Sequence, residues 1–424
     1  MANLMKILLS VFAAVLAFLA YRYVIGVRSY AKKSGSYPSV APGANKSMIL
    51  EAHRASDFPE DWWIGESLFN LERRALFSKQ WIYIAHRSQF AKPGDYHTFE
   101  LANFPIFLIL GKDHVIRGFH NVCRHRAYTI TKKKSGSSTV LGCRYHGWSY
   151  DTRGRLVKAP AFEDIENFDK SQNGLFEIHT HTTRQGFVYV NLSTDKVSSP
   201  DVKTKDILAR SWGISERSAP LAQVEVEEDL NWKQAVHYME TVGYAANISP
   251  NAWHEFASKM PFLFNIGNPG THNILDSNGL SSLHVAVGGR LWYTLSSSPT
   301  STSHTRFTCN VYLNWPGDNA QADTAVQAIK DEVYSILSGA KAAPLTLDAT
   351  AAGLQVGILD ELTAHLKEER KRGKKVWPAS RDSTVSEMYN QADLLCKQLS
   401  YLKPKRAPDM DLLGKLGSRN ELEW

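Results

Sequence analysis

The chain has 424 residues, of which 43% are hydrophobic and 21% charged, and its formal net charge is +7. This composition excludes an intrinsically disordered chain, and the length allows two domains with substantial cores. The basic residues are dispersed, so we find no nucleic-acid-binding signature and interpret the charge as a solvated basic surface or one attracted to anionic lipid.

An apolar run lies near the start of the chain. It extends from Ile7 to Tyr21 and resumes from Tyr23 to Val27 after Arg22. A helix needs roughly twenty such residues to cross a bilayer, and Arg22 could reach one interface. We predict a transmembrane anchor over residues 1–30; a cleaved signal peptide is the alternative, because the unbroken apolar part is short.

The charges that flank this run predict its orientation. Lys6 alone precedes the run, whereas Arg22, Arg28, Lys32 and Lys33 lie within or after its end. The positive-inside rule then leaves the C-terminal domains in the cytosol. We expect a single-pass membrane protein of the endoplasmic reticulum.

Residues 31–80 are predicted to form a tether followed by a helical lead-in. The stretch from Ser34 to Asn45 is rich in Ser, Gly and Pro. Leu68, Leu71 and Leu76 then recur at helical spacing, which we interpret as core packing rather than a cofactor-binding motif.

Two short segments carry residues that bind metals. One residue separates Cys123 from His125, two separate Cys143 from His146, and seventeen lie between the pairs. Two thiolates and two imidazoles predict either a [2Fe-2S] cluster or a structural zinc site. Zinc fingers usually pair Cys with Cys and His with His, whereas each segment here carries a mixed pair. This favours the cluster, with the two Cys on one iron and the two His on the other.

The ligand segments resemble those of a known family. Cys123-x-His125 and Cys143-Arg-Tyr-His146-Gly-Trp148 resemble the cluster motif of Rieske non-haem iron oxygenases, and Trp81 to Arg87 resembles the first strand of their Rieske domain. The resemblance implies an antiparallel β Rieske [2Fe-2S] domain over residues 81–195. The loops carry no extra cysteine, which favours the oxygenase branch and a reducing compartment.

Short strands separated by turns are predicted in this region. Phe104 to Leu110, Val115 to Phe119 and Thr183 to Leu192 are the strand candidates, and Asp151 to Gly154 is a turn. Rigid antiparallel strands would hold the two ligand loops face to face.

An α+β domain of the helix-grip type is expected from residue 201 to residue 424, as the resemblance implies. The runs Leu283 to Leu295 and Thr305 to Trp315 are predicted strands, and Leu354 to Leu366 recurs at helical spacing. The fold class is therefore α+β, with an N-terminal membrane anchor, a Rieske domain and a helix-grip-like C-terminal domain.

The family's second metal site is altered in this sequence. Asn231-Trp-Lys233 resembles the start of the helix that carries a mononuclear iron in the family, where a bridging Asp and two His follow. Two His and one carboxylate leave open positions at which Fe(II) can bind oxygen. Here Val242, Ala245 and Pro250 take the three positions, and none can bind a metal. The [2Fe-2S] cluster is expected, and a mononuclear Fe(II) is doubtful.

Other residues could rebuild a metal site. His237, Glu240 and His254 lie in the same segment and are the candidate catalytic residues, and Asp331 and Glu332 are possible late carboxylates. The alternative is that all five are ordinary surface or pocket residues.

Two functions remain open. The first is a membrane-anchored oxidoreductase resembling an aromatic-ring-hydroxylating or choline-monooxygenase-type oxygenase, a mono- or dioxygenase acting on a small organic substrate. The second is a pseudo-oxygenase without the catalytic iron, which serves in electron transfer, substrate binding or non-redox catalysis. The chain has no GxGxxG or P-loop motif, so electrons must come from a separate NAD(P)H-dependent reductase or ferredoxin. The resemblance also implies a homotrimer.

Overall fold

The computed structural model describes residues 58–160, 162, 168–247, 271–275, 280–286, 291–314, 322–343 and 352–379. The predicted anchor at residues 1–30 and the predicted tether lie outside this part of the chain. Among the helices that the structure describes, none combines the length and the apolar character needed to cross a membrane.

The first half of the described chain consists mainly of β-strands, and the second half contains both β-strands and α-helices. The strands are β1 (Ile82–His86), β2 (Asp95–Leu101), β3 (Phe104–Leu110), β4 (Ile116–His120), β5 (Ser135–Ser137), β6 (Val140–Gly142), β7 (Ser149–Asp151), β8 (Leu156–Lys158), β9 (Glu177–Thr182), β10 (Phe187–Asn191), β11 (Ala219–Glu228), β12 (Thr271–Leu275), β13 (Ser281–Ala286), β14 (Leu291–Pro299) and β15 (Thr305–Leu313). The α-helices are α1 (Glu66–Glu72), α2 (Lys203–Ser211), α3 (Trp232–Asn247), α4 (Ala322–Ala342) and α5 (Ala352–Arg372).

Two antiparallel sheets form the region of the ligand loops. One has the strand order β1-β10-β9-β4-β3-β2-β5, and the smaller one has the order β6-β7-β8. The predicted strand Phe104–Leu110 is confirmed, and it is buried along most of its length because nearly every residue is apolar. The predicted strand Thr183–Leu192 is shorter, since Thr183 to Gly186 form a turn in which Gly186 has a φ of +96°.

A five-stranded antiparallel sheet with the order β11-β15-β14-β13-β12 forms the C-terminal region, and α3 packs against it and against α4. The single strand predicted from Leu283 to Leu295 is wrong, because the run divides into β13 and β14. The sequence carries two adjacent glycines, Gly288 and Gly289, within this run, and glycine disfavours the interior of a strand.

The large and the five-stranded sheets share an aromatic contact. His86, at the end of β1, packs against Trp292 and Tyr312, whose rings stack at 4.1 Å. Its Nε2 lies 2.8 Å from the Gln185 carbonyl and its Nδ1 lies 2.9 Å from Ser88 Oγ. Burial lowers the pKa of His86 to about 4, so the ring is neutral at physiological pH.

Residues 60–77, here called the lead-in segment, contact both halves of the described chain. It comprises α1 and a π-helical turn at Arg73–Phe77. Arg73 Nε donates to the carbonyl of Ala102, at 2.8 Å. Ala102 and Asn103 form the two-residue turn between β2 and β3, with φ of 46° and 62°, the geometry of a type I′ hairpin. The turn also bonds β14, where the Ser298 hydroxyl accepts from the Ala102 N–H at 3.0 Å.

The lead-in segment also holds the start of α3. The Asn231 side chain donates to the carbonyls of Trp63 and Thr302, each at 2.7 Å, and accepts from the Lys233 N–H as a helix cap. Trp232 Nε1 donates to Glu72 at 2.7 Å, and Lys233 forms a fully buried ion pair with the same carboxylate. Burial raises the pKa of Glu72 and lowers that of Lys233, while their mutual attraction opposes both shifts.

Candidate metal centre

The two ligand loops have the same backbone design. In the first, the Cys123 N–H donates to the Tyr128 carbonyl at 2.8 Å, and the Cys123 carbonyl accepts from the Ala127 N–H at 3.0 Å. In the second, the Cys143 N–H donates to the Trp148 carbonyl at 2.7 Å, and the Cys143 carbonyl accepts from the Gly147 N–H at 3.0 Å. Ala127 and Gly147 both have positive φ, 53° and 76°. Glycine adopts this conformation freely, whereas alanine does so at a cost of about 1 kcal/mol.

The loops bring the four predicted ligands together in two like pairs. Cys123 and Cys143 are buried in the same core cluster, and each thiol is the largest influence on the pKa of the other. The rings of His125 and His146 lie 4.5 Å apart, centroid to centroid. The sequence places one Cys and one His on each loop, and the fold pairs Cys with Cys and His with His across the loops.

The grouping of the four side chains into like pairs agrees with the cluster assignment. A Rieske cluster needs two Cys at one iron and two His at the other, which is the arrangement of these pairs.

Hydrogen-bond donors surround the sulfur atoms. The backbone N–H of His125 donates to the sulfur of Cys123, and those of Tyr145 and His146 donate to Cys143. The Cys123 thiol is the largest cause that lowers the pKa of Cys143, and the pKa of Cys123 is raised in turn. These donors stabilise negative charge on sulfur, which metal ligation requires. The donor set therefore fits a [2Fe-2S] cluster.

Tyr150 on β7 supplies a further donor to sulfur. Its hydroxyl lies 3.2 Å from Cys123 Sγ, and its oxygen accepts from the Arg124 N–H at 3.1 Å. Because the Arg124 N–H points at the Tyr150 oxygen, the hydroxyl hydrogen of Tyr150 is directed to the sulfur of Cys123. Burial and the negative charge of Cys123 raise the pKa of Tyr150, so the group keeps its proton.

Replacing Tyr150 by Phe is expected to lower the reduction potential of the cluster by roughly 60 mV. Hydrogen bonds to sulfur stabilise the more negative, reduced state, and one such bond to a charged group contributes about 1.5 kcal/mol, which for one electron is roughly 60 mV. The measurement is a redox titration followed by the cluster's EPR signal. Tyr189→Phe on β10 is a matched control, since Tyr189 is also buried but packs against Tyr83; an equal shift in both variants would contradict the role of Tyr150.

Aromatic side chains form the wall behind the histidines. The His125 ring stacks on Trp148 at 5.1 Å with an interplanar angle of 12°, and it meets Phe162 edge-on at 4.9 Å. Trp148 and Phe162 are almost fully buried. These contacts fix the orientation of the His125 ring and exclude water from its inner side.

Only one of the three candidate catalytic side chains falls within the described part of the chain. His237 lies on α3 and is half-buried, whereas the side chain of Glu240 and the whole of His254 lie outside the described residues. The side chains of Val242 and Ala245 and the whole of Pro250 also lie outside them. The altered second metal site therefore stays a prediction.

The possible late carboxylates lie on α4 and have different surroundings. Asp331 is exposed and accepts a hydrogen bond from Gln327 at 2.9 Å. Glu332 is half-buried beside Tyr293, and burial together with this carboxylate raises the pKa of Tyr293. Neither contact identifies a metal ligand.

Sequence reasoning missed the tyrosine donor and the aromatic wall. Trp148 was named only as part of the ligand motif, and Tyr150 was given no role. Their order offers a signal, because Tyr150 lies two residues beyond Trp148 and side chains i and i+2 of an extended chain face the same side.

Comparisons with known proteins agree with this geometry. A family model described as the Rieske [2Fe-2S] domain matches residues 80–169. The carnitine monooxygenase oxygenase subunit of Acinetobacter baumannii is 31% identical over 186 residues, covering 43% of this chain and 50% of that protein. The 2-aminobenzenesulfonate 2,3-dioxygenase subunit alpha of an Alcaligenes species is 35% identical over 181 residues, covering 41% and 44%. The chain thus spans about half the length of the curated relatives it matches.

Solved structures extend the similarity to the C-terminal region. The crystal structure of the quaternary ammonium Rieske monooxygenase CntA with L-carnitine superposes with a TM-score of 0.55 at 21% identity, covering 71% of this chain and 94% of that one. At this identity the match shows the fold. Residues 80–169 are a Rieske [2Fe-2S] domain, and the similarity to the oxygenase subunits named above covers somewhat less than half of this chain.

Proposed function

We propose that the protein is a Rieske [2Fe-2S] oxidoreductase of the mono- or dioxygenase class that acts on a small organic substrate. The observation that carries the proposal is the convergence of Cys123 with Cys143 and of His125 with His146 at two loops of one design. The relatives that support it are named as oxygenases of carnitine, glycine betaine and aromatic compounds.

The four side chains at the loops would hold the cluster. Cys123 and Cys143 would bind one iron, and His125 and His146 would bind the other. A bound cluster supplies one-electron transfer at a potential raised by its imidazole ligands. Tyr150 and the backbone N–H groups donate to sulfur, Trp148 holds the His125 ring, and Phe162 excludes water on that side.

A pseudo-oxygenase is the second candidate, because the sequence has Val242, Ala245 and Pro250 where the family's helix supplies a bridging Asp and two His. Loss of ligands normally empties such a site. The protein would then use its cluster for electron transfer, or its C-terminal domain for substrate binding or non-redox catalysis. In the oxygenase alternative, His237, Glu240 and His254 rebuild the site.

The experiment that separates these functions is an iron and acid-labile sulfide assay on anaerobically purified protein, with EPR of the reduced sample and of its nitric-oxide adduct. Two irons and two sulfides per chain, with a Rieske signal and no iron-nitrosyl signal, support the pseudo-oxygenase. A third iron that binds nitric oxide supports the oxygenase. A protein without the Rieske signal would overturn both.

We also propose that residues 1–30 anchor the protein as a single-pass span in the endoplasmic reticulum, with the C-terminal domains in the cytosol. The apolar run and the positive charges after it support this topology. Electrons would come from a separate reductase or ferredoxin, and the chain would assemble as a homotrimer.

Removal of the residues before Tyr30 is expected to release the protein from membranes with its cluster intact, because the predicted span is the proposed means of attachment. The measurement is the share of protein in the membrane pellet after a high-salt wash, which removes protein bound only by charge. The full-length chain is the control. A truncated protein that stays in the pellet would show that another segment binds lipid.

A further inference from the structure

One end of helix α5 concentrates basic residues. Basic residues are dispersed over the chain as a whole, whereas the stretch from Lys367 to Lys375 contains six Lys and Arg among nine residues. The helix ends at Arg372, and Gly373 follows it with a φ of +66°, a left-handed conformation that glycine adopts freely. The chain turns there, and the Val376 N–H donates to the Glu369 carboxylate at 2.9 Å, which holds the returning chain against the last helical turns.

The two acidic residues of this stretch are paired within the protein. Glu369 accepts two hydrogen bonds from the Arg74 guanidinium, at 2.7 and 3.1 Å. Glu368 pairs with Lys79 and, at 2.5 Å, with Arg372. Neither carboxylate is therefore left to neutralise the other cations of the stretch.

The other five cations of the stretch are exposed. Among the residues that the structure describes, none of the five forms an ion pair. Three of them occupy positions i, i+3 and i+4 of the helix and so share one face, and Leu366, which is 36% exposed, lies four positions before Arg370 on that face. We call this surface the basic end of α5; it comprises Leu366, Lys367, Arg370, Lys371, Lys374 and Lys375.

The chemistry of this surface fits an anionic bilayer. Phosphate oxygens of the lipid headgroups would accept from the Lys and Arg side chains, and Leu366 would reach the apolar layer beneath the headgroups. Clusters of about four to eight Lys and Arg are typical of segments that bind the negatively charged cytoplasmic leaflet. The five cations and the exposed leucine therefore match both layers of such a surface.

A second copy of this chain fits the same surface less well, although we propose a homotrimer. Four of the five cations are Lys, and Lys is depleted at the cores of protein interfaces. Burying five unpaired cations between subunits would also cost desolvation free energy unless each of them met a carboxylate. The bilayer is therefore the occupant that the observations favour.

We propose that the basic end of α5 binds the headgroups of an anionic bilayer and so holds the C-terminal domain against the membrane. This inference rests on the proposed anchor, which places the described domains on the cytosolic side. The covalent link to the anchor raises the effective concentration of the bilayer at the basic end, so a weak electrostatic attraction is enough for contact. The attraction comes from the negative charge of the cytoplasmic leaflet.

The test uses the full-length, cluster-loaded protein in lipid nanodiscs made of phosphatidylcholine alone or with about one third phosphatidylglycerol. The readout is the rate of reductive methylation of each lysine, followed by mass spectrometry, because this modification keeps the positive charge. In the anionic discs, labelling of Lys367, Lys371, Lys374 and Lys375 is expected to slow by roughly threefold or more. The difference should vanish at about 0.5 M salt, where charges more than a few Å apart are screened.

Lys112 is the control within the same sample. It is exposed and lies in the turn after β3, whereas Trp377, just beyond the basic end, contacts Phe104 at the start of β3. The length of β3 separates the two sites by roughly 20 Å. Lys112 should label at the same rate in both discs, and equal slowing there would overturn the proposal in favour of a general effect of the charged lipid.

Charge reversal tests the same surface by mutation. The double variant Arg370→Glu and Lys371→Glu is expected to remove the slowing at Lys374, because it places two negative charges beside the bilayer. The matched control is Lys112→Glu and Lys158→Glu, which changes the net charge equally at two exposed residues of the Rieske domain and should keep the slowing. Slowing that persists in the first double variant would overturn the proposal.

Further outcomes identify the other occupants. Slow labelling of the four lysines in both discs would show that another copy covers them, and equal slowing by soluble glycerol 3-phosphate in neutral discs would indicate a site for a free phosphate; either result would overturn the proposal. Retention of the protein in the discs after a high-salt wash separates this failure from that of the anchor. Retained protein with unchanged labelling rejects only the basic end, whereas protein that leaves the discs rejects the anchor on which the inference rests.

Discussion

Replacing His146 by Cys is expected to retain a cluster but to lower its reduction potential by on the order of 0.1 V or more. Rieske centres lie at least roughly 0.25 V above plant-type ferredoxins because imidazoles replace two thiolates. The substitution reverses half of that replacement by adding a negative ligand to the iron. The measurement is a redox titration monitored by EPR and by visible absorbance.

His181→Cys is the matched control, since His181 lies on β9 and packs against Trp81, away from the loops. Its cluster should keep the wild-type potential. A His146→Cys protein with a full cluster and an unchanged potential would contradict the ligand assignment, because a ligand cannot change from neutral to anionic without affecting the metal.

Replacing Lys233 by Met is expected to destabilise the protein by about 3–5 kcal/mol, because it leaves the Glu72 carboxylate buried without its cation. Both side chains are at most 2% exposed, so water cannot replace the lost partner. Lys233 also donates to the Trp62 carbonyl and lies 4.6 Å from the Trp62 ring centre, and those contacts are lost as well. The measurement is the midpoint of urea denaturation followed by fluorescence.

Lys341→Met is the matched control for this pair. Lys341 is 52% exposed, pairs with Glu228 at 3.3 Å, and should contribute about 1 kcal/mol or less. The double variant Glu72→Leu and Lys233→Met should recover much of the lost stability, since apolar residues often replace a buried ion pair at little cost. A Lys233→Met protein as stable as Lys341→Met would show that the buried pair does not hold α3.

The ligand loops could be predicted from the sequence because their chemistry is local. Cys and His at fixed short spacing identify a metal site without knowledge of what packs around it. Strand β3 could be predicted for a similar reason, since a run of apolar residues specifies a buried strand by itself. The start of α3 followed from the Asn231-Trp-Lys motif, and the helix begins at Trp232.

Contacts between distant residues could not be predicted. Glu72 and Lys233 are 161 residues apart, and neither has a local pattern that marks it as buried, since most Glu and Lys side chains are exposed. The same limit applies to Arg74 and Glu369, which pair at 2.7 Å across 295 residues. The run from Leu283 to Leu295 divides into two strands, and it contains a glycine pair, Gly288 and Gly289, that an apolar count overlooks.

The contacts of the lead-in segment bear on how such proteins can be recombined. A hybrid that exchanged residues 80–169 with those of a relative would carry its own cluster ligands. The exchanged segment would nevertheless need a left-handed turn at the position of Ala102, because the carbonyl there accepts a hydrogen bond from Arg73. The N–H of that turn would also need its hydrogen-bond acceptor on β14, the Ser298 hydroxyl. The family match and the cluster ligands therefore do not mark where the chain can be spliced, and a junction placed before Glu60 would transfer the lead-in segment intact.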